Sequence, residues 1–225
     1  MCGRYSFWKS CKRLKEEFSL SVPSEFLPEI HPRYNIAPGT DIPAIRQLPE
    51  KRRELALLQW GLIPSWAKDK KTGYRLINAR AESVATKPAF RSAFRYRRCL
   101  IPASGFYEWQ KLEGGKQPWF ITLEDADLFA FAGLWECWEG QEGEVVESCT
   151  IITTDSNDLV RPLHDRMPVI IERLRYGDWL SRESGPDALK TLLCPLPAEK
   201  MKARPVSLLV NNPGNESPEC CKPMR

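Results

Sequence analysis

The sequence has few histidines and no long apolar run, and each shortage excludes a class of protein. No apolar stretch approaches the roughly 20 residues that a transmembrane helix requires, and the polar N-terminal stretch lacks the apolar segment of a signal peptide. We therefore expect a cytoplasmic protein with no membrane partner. The 225 residues include only two histidines, too few for the histidine-rich metal site of a phosphohydrolase.

Paired metal-binding cysteines and strong net charge are also missing. Eight cysteines occur without any C-x-x-C spacing, so we expect free thiols in a reducing compartment, no structural zinc and no cofactor. The net charge of +4 is too small to identify a polyanionic partner by itself. Cys220 and Cys221 lie in a stretch that we interpret as a loose C-terminal tail, residues 211–225, and we assign them no catalytic role.

Proline is abundant, with 19 residues along the chain, which favours many short elements over long helices. The apolar pattern predicts a helix over 6–18 capped by Ser6, a loop over 21–40, and helical pieces at 84–94, 172–182 and 186–193. The turn sequence "KLEGGK" predicts a hairpin. Strand-like runs occupy 41–48, 54–60, 97–103, 105–111, 117–123, 128–138, 147–154 and 167–171. We predict an α+β fold, a single domain over 1–210 with a mainly antiparallel, barrel-like sheet and short flanking helices.

Cys2 stands directly after the initiator Met1 and has three interpretations. It can be a small buried residue in a first strand, "CGRYSF", since burial is the commonest fate of a free cysteine, or a metal ligand, for which partner spacing is missing. Removal of Met1 would instead give Cys2 a free α-amine beside its thiol, both with pKa values near 8. Such an aminothiol captures an aldehyde, because the amine forms a Schiff base and the thiol closes it to a thiazolidine ring.

Four further residues are candidates for proton transfer or positioning. His31 lies in a Pro-flanked loop, where a solvated residue is the favoured interpretation, whereas His164 is either a structural histidine held by Asp165 or an acid/base. Glu108, flanked by aromatic residues on a strand, is either an exposed carboxylate or a desolvated one suited to proton transfer. Asn78 is either a turn residue or an amide that holds a carbonyl or amine in place.

Several stretches together resemble one known family. "MCGRY", "INARAES", "GFYEW" and "LHDRMP", supported by "RYNIAPGT" and "WGLIPSW", are similar to the SRAP family, the SOS-response-associated peptidase or abasic-site-processing proteins. The resemblance runs from Cys2 to the "RPVSLLVNN" stretch, so it covers nearly the whole chain. It implies an SRAP-like fold, no metal or cofactor, and a covalent crosslink between an N-terminal cysteine and abasic single-stranded DNA.

The resemblance also implies roles for individual residues. The implied catalytic residues are the nucleophile Cys2, its positioning amide Asn78, the acid/base Glu108 and the proton-transfer residue His164. The implied DNA-binding residues are Arg4, Arg80 and Arg166 for phosphates and Trp66 and Trp109 for the aromatic surface. One position departs from the family, because Pro88, preceded by Lys87, stands where some members have an arginine ten residues after the asparagine.

Three hypotheses of function remain at the level of sequence. The first is a sensor of abasic sites that crosslinks single-stranded DNA through Cys2, acts as a monomer and associates with the nucleoid. The second is a cysteine peptidase or amidohydrolase with Cys2 as N-terminal nucleophile, which includes removal of its own Met1. The third is a noncatalytic module that binds single-stranded DNA through basic and aromatic residues.

Overall fold

A computed structural model describes residues 2–21 and 29–224, which form thirteen strands and four short α-helices in those ranges. The strands are β1 Tyr5–Phe7, β2 Arg33–Ile36, β3 Asp41–Gln47, β4 Arg53–Trp60, β5 Asn78–Arg80, β6 Arg98–Ala103, β7 Gly105–Leu112, β8 Gly115–Leu123, β9 Phe129–Glu139, β10 Val145–Asp155, β11 Arg166–Pro168, β12 Ile170–Ile171 and β13 Met201–Pro205. The helices are α1 Cys11–Phe18, α2 Arg91–Tyr96, α3 Tyr176–Leu180 and α4 Pro186–Thr191. In the described ranges, no helix is long and apolar enough to span a bilayer.

A closed barrel forms the larger part of the fold. Strands β10, β4, β3, β6 and β9 follow one another around it, and pairing of β9 with β10 closes the circle. Most pairs are antiparallel, but β10 runs parallel to both β4 and β5. Closure leaves these five strands without a free edge. The predicted α+β fold with a mainly antiparallel, barrel-like sheet is confirmed.

A second, five-stranded sheet packs beside the barrel in the order β13–β8–β7–β1–β2. Its centre is the β7–β8 hairpin that "KLEGGK" predicts, in which Leu112 pairs with Gly115. Tyr5 of β1 reaches the barrel core, where its ring meets Trp60 and Phe131 edge-to-face at centroid distances of 5.5 and 5.8 Å. One apolar core therefore joins the second sheet to the barrel.

The N-terminal helix is shorter than the sequence predicts. Residues 5–7 form β1, and α1 begins only at Cys11, where the Ser10 side chain accepts a hydrogen bond from the Arg13 amide. The predicted Ser6 cap is wrong, because the Ser6 hydroxyl lies buried and donates to the Gly105 carbonyl of the neighbouring strand. Within the predicted 84–94 helix, only 91–94 lie in α2. The predicted loop over 21–40 contains β2, and its residues 22–28 lie outside the described part of the chain.

The C-terminal segment is packed, which corrects the loose tail predicted for 211–225. Glu216 accepts hydrogen bonds from the main-chain amides of Tyr34 and Asn35 at 2.5 and 2.7 Å. Cys220 and Cys221 are buried, and the Cys221 sulfur lies 2.9 Å from the Tyr107 hydroxyl. Residues 206–224 therefore cover one face of the five-stranded sheet and extend its core.

Candidate active site

The register of β1 beside β7 brings the start of the chain to Glu108. Tyr5 pairs with Phe106, and the Arg4 carbonyl accepts a hydrogen bond from the Tyr107 amide at 3.0 Å. Continuation of this antiparallel pairing carries Cys2 along β7 towards Glu108, whose negative charge acts on the thiol. Cys2 is fully buried, so the thiol and the carboxyl group share a site that excludes bulk water.

Asn78 fixes the position of Cys2 from the opposite side. It begins β5, which pairs with the middle of β10 so that Asn78 lies opposite Ile151. Its side-chain amide donates a hydrogen bond to the main-chain carbonyl of Cys2 at 2.9 Å. Its buried Oδ1 atom has no hydrogen-bond donor among the described residues. Asn78 therefore lies in a strand and holds the Cys2 carbonyl, and it is not the turn residue of the alternative interpretation.

Glu108 is 3% exposed, so the interpretation as an exposed strand carboxylate is wrong. Burial, with a smaller contribution from the negative charge of Asp165, raises the pKa of its carboxyl group from 4.5 to about 7. A group with a pKa near 7 is present in both protonation states at neutral pH. Glu108 is thus suited both to accept and to donate a proton.

The thiol of Cys2, unlike the carboxyl group of Glu108, is present in only one protonation state at neutral pH. Burial, and then the nearby Glu108 carboxylate, raises the pKa of the Cys2 thiol well above its ordinary value of 9.0. The thiol therefore stays protonated until a base accepts its proton. This environment is unlike the electropositive surroundings that generate a reactive thiolate.

His164 lies in the segment that precedes β11, next to Asp165, whose charge acts on Glu108. Its half-buried ring places Nδ1 2.8 Å from Asp165 Oδ1, and Nδ1 accepts a hydrogen bond from the Arg166 amide at 2.9 Å. Burial lowers the pKa of His164, which Asp165 partly opposes. His31 lies exposed beside Glu29, as the interpretation of a solvated residue predicts.

Of the five residues implied in DNA binding, two are exposed, and the other three are hydrogen-bonded within the protein. Arg80 and Trp66 are exposed, with Trp66 at 63%. Arg4 is half-buried and donates to the Asn35 side chain and to the Val210 carbonyl at 2.7 and 2.8 Å. Trp109 donates from its ring nitrogen to Asn211. Arg4 and Trp109 therefore both bind the C-terminal segment, and their contacts with DNA stay predictions.

Arg166 is 9% exposed, and its guanidinium group has three partners inside the protein. Its guanidinium group forms ion pairs with Glu82 and Asp155 at 2.8 and 2.7 Å and donates to the Thr153 carbonyl at 2.7 Å. These contacts anchor the segment that carries His164. Glu82 was missed by sequence reasoning, although it lies inside the motif "INARAES". The phosphate contact implied for Arg166 stays a prediction.

The segment that carries Trp66 is held by two glycines in close contact. Gly61 has a φ of +133°, and a Cβ atom there would lie 2.8 Å from the Gly73 carbonyl oxygen. A side chain at Gly73 would lie 2.5 Å from the Gly61 carbonyl oxygen. Since neither position tolerates a side chain, the two glycines allow residues 61–75 to form a tight loop that presents Trp66 to solvent.

The chain is similar to known proteins over nearly its whole length. The family model "SOS response associated peptidase (SRAP)" matches residues 1–213. The abasic site processing protein YoqW of Bacillus subtilis is 47% identical over 97% of this chain and 98% of its own length. The abasic site processing protein HMCES of Xenopus tropicalis is 35% identical over 84% of this chain and 65% of its own. A crystal structure of a protein from Bacteroides thetaiotaomicron superposes with a TM-score of 0.88, at 25% identity, over the whole of both chains. The chain belongs to the SRAP family.

Proposed function

We propose that this protein processes abasic sites in single-stranded DNA by forming a covalent crosslink through Cys2. The observation that carries the proposal is the hydrogen bond by which Asn78 holds Cys2 in a buried site with Glu108, whose pKa is about 7. The names of YoqW and HMCES as abasic site processing proteins support the same substrate. The protein would act as a monomer on single-stranded stretches of the nucleoid.

The chemistry begins with hydrolysis of the Met1–Cys2 peptide bond, which frees the α-amine of Cys2. The amine adds to the aldehyde carbon of the ring-opened abasic sugar, and the resulting carbinolamine loses one water to give a Schiff base. The sulfur of Cys2 then adds to the imine carbon, and the thiol proton passes to the imine nitrogen. The product is a thiazolidine ring, and the condensation of the aminothiol with the aldehyde releases one water.

Glu108 is suited to each proton transfer of this sequence by its pKa of about 7. In its ionised form it accepts a proton from the amine as the new C–N bond forms. In its protonated form it donates to the departing hydroxyl group of the carbinolamine. The raised pKa of the Cys2 thiol places the amine first in this order, because the thiol becomes nucleophilic only after it transfers its proton.

His164 and Asn78 complete the assignment of roles. Burial lowers the pKa of His164, so its neutral ring is suited to accept the proton of the anomeric hydroxyl group and to return it to the ring oxygen, which opens the ring and exposes the aldehyde. The buried Oδ1 atom of Asn78 is suited to accept an N–H of the freed Cys2 amine. Both contacts would orient the two reacting groups before the first bond forms.

The alternative of a cysteine peptidase fits the site less well. A peptidase nucleophile needs a lowered thiol pKa, whereas burial and Glu108 raise the pKa of Cys2. We therefore restrict any peptide hydrolysis to the removal of Met1. A module that only binds DNA would have no use for a buried Glu108 beside Cys2.

The proposal is tested by mixing the protein with a single-stranded oligonucleotide that carries one abasic site, followed by denaturing electrophoresis. The expected result is a complex that survives denaturation, is absent with undamaged DNA, and is absent with Cys2→Ala. Cys2→Ser is a matched control, because it keeps the α-amine and a side chain of the same shape but has no sulfur to close a thiazolidine ring. An equal yield of complex from wild type and Cys2→Ala would overturn the proposal.

A further inference from the structure

A groove of about 430 Å³ lies between α2 and α4, and none of the Cys2 site residues lines it. Three exposed arginines do: Arg91 and Arg95 on α2, and Arg182 between α3 and α4. Among the described residues, no carboxylate forms an ion pair with these three guanidinium groups, although Glu183 in the same wall pairs with Lys51. The groove therefore carries positive charge that the described residues leave unneutralised.

The walls of the groove are held together from beneath by a fourth arginine. Arg98 is buried and donates to the Phe94 and Arg95 carbonyls at the end of α2 and to the Trp179 and Ser181 carbonyls of α3 and its C-cap. Burial, and then the charge of Arg182, lowers the pKa of Arg98 to about 10. An anion in the groove would relieve this repulsion.

The strand register places the groove close to the Cys2 site. Asn78 lies opposite Ile151, Ile151 opposite Gly133, and Gly133 opposite Cys99, which follows Arg98. Neighbouring strands are about 4.8 Å apart, so this path around the barrel is about 15 Å long. A strand of nucleic acid covers that distance with a few nucleotides.

The chain itself also connects the two places. Arg80 starts a turn in which its carbonyl accepts a hydrogen bond from the Val84 amide at 2.9 Å, and the next residue, Ala85, lines the groove. The exposed Lys87 follows before α2 begins. Exposed positive side chains thus continue from Arg80 through Lys87 into the groove. The carboxylate of Glu82, which lies between them in the chain, is paired with Arg166.

We propose that this groove binds the sugar–phosphate backbone of the single strand on one side of the abasic site, a few nucleotides from the lesion. The inference rests on the proposed function. The half-exposed ring of Tyr96, with the Arg95 guanidinium 5.1 Å above its centroid, adds an aromatic surface on which a base stacks. Such a surface and the continuity with Arg80 favour a nucleic acid over an acidic peptide.

The test uses single strands with a tetrahydrofuran abasic analogue, which has no aldehyde, so that binding is measured without crosslinking. One strand extends nine nucleotides on the 5′ side only, a second on the 3′ side only. The variant is Arg91→Ala/Arg95→Ala/Arg182→Ala. The control is Lys12→Ala/Lys200→Ala/Lys222→Ala, which removes the same charge from exposed positions elsewhere.

The triple arginine variant should bind one of the two strands about tenfold more weakly, with the slope of log affinity against log salt reduced by about 2 for three phosphate contacts. The control should match wild type. Arg182→Ala alone, in an exposed segment, should show the same preference for one strand with a slope reduced by about 0.7. Equal losses on both strands, or an unchanged slope, would overturn the inference.

Two further outcomes separate the proposals. Binding of a polyglutamate peptide that depends on the three arginines, with DNA binding unaltered, would overturn the inference and indicate an acidic protein partner. If wild type forms no crosslink with natural abasic DNA but the one-sided arginine effect is found, the proposed covalent function fails and the groove assignment stands.

Discussion

Asn78 and Cys2 are 76 residues apart in the chain, and one hydrogen bond of 2.9 Å joins the side-chain amide of Asn78 to the main-chain carbonyl of Cys2. That carbonyl belongs to the peptide bond between Cys2 and Gly3. Removal of Met1 therefore leaves the hydrogen bond in place. The contact holds the residue that would carry both the amine and the thiol.

Replacement of Asn78 by Asp should slow crosslinking about tenfold, because a carboxylate cannot donate to the Cys2 carbonyl. The loss of one hydrogen bond, about 1 to 1.5 kcal/mol, corresponds to that factor. The measurement is the single-turnover rate of crosslink formation at saturating abasic DNA. A wild-type rate in Asn78→Asp would remove the positioning role of this amide.

Replacement of Glu108 by Gln should slow crosslinking at least a hundredfold, since general acid–base catalysis contributes at least that much. In wild type, the rate should change with pH through an inflection near 7, the pKa to which burial raises Glu108. The variant should lack that inflection. The pH profile distinguishes proton transfer from a structural role, and an inflection retained in Glu108→Gln would contradict the assignment.

The same variant has a second signature in stability. Between pH 4.5 and about 7, the folded protein holds a proton on Glu108 that the unfolded chain releases. The contribution of this group to stability is therefore greatest below pH 4.5 and is lost as pH rises to about 7. Glu108→Gln should be more stable than wild type at pH 8, by at most about 3 kcal/mol, and no more stable at pH 4. Thermal unfolding at both pH values measures this.

Arg80 and Arg166 should respond differently to replacement by Ala. Arg80 is exposed, so Arg80→Ala should reduce the salt slope of DNA binding by about 0.7 and change stability by less than about 0.5 kcal/mol. Arg166 holds Glu82 and Asp155, so Arg166→Ala should lower the free energy of unfolding by about 1 to 3 kcal/mol. The two measurements are salt titration and thermal denaturation. Equal effects of both variants on stability would contradict the distinction.

Deletion of residues 212–225 should destabilise the protein, although the sequence predicts a loose tail there. The deletion removes the Glu216 carboxylate from the amides of Tyr34 and Asn35 and uncovers Tyr107. A loss of several kcal/mol lowers the unfolding temperature by about 10 °C in a chain of this length. Glu219→Ala, which removes only an exposed ion pair with Lys222, is the control. An unchanged unfolding temperature after deletion would restore the interpretation as a loose tail.

Much of the barrel could be predicted because its strands carry long β-branched and aromatic runs. The runs at 128–138 and 147–154 became β9 and β10 with nearly the predicted bounds. The sequence left the short β1 undecided between a first strand and the helix over 6–18, since Phe7 and Leu14 also fit a helical period and three residues show no alternation. Its strand form depends on pairing with β7, a contact about a hundred residues away.

The candidate site, like the fold, could be predicted from the sequence only in part. The resemblance implied that Cys2, Asn78 and Glu108 share one site. In the structure Asn78 is hydrogen-bonded to Cys2, and the charge of Glu108 raises the pKa of the Cys2 thiol. The hydrogen bonds of Arg4 and the ion pairs of Arg166 within the protein could not be predicted from the sequence. An arginine in a motif looks the same whether it faces a phosphate or a carboxylate from another strand.

The most direct test of the account is the intact mass of the purified protein before and after it reacts with abasic single-stranded DNA. The account predicts a protein that lacks Met1 and an adduct equal to protein plus DNA less one water. Peptide mapping should place the adduct on Cys2. A crosslinked protein that retains Met1 would contradict the account, because an acylated amine cannot close the thiazolidine ring.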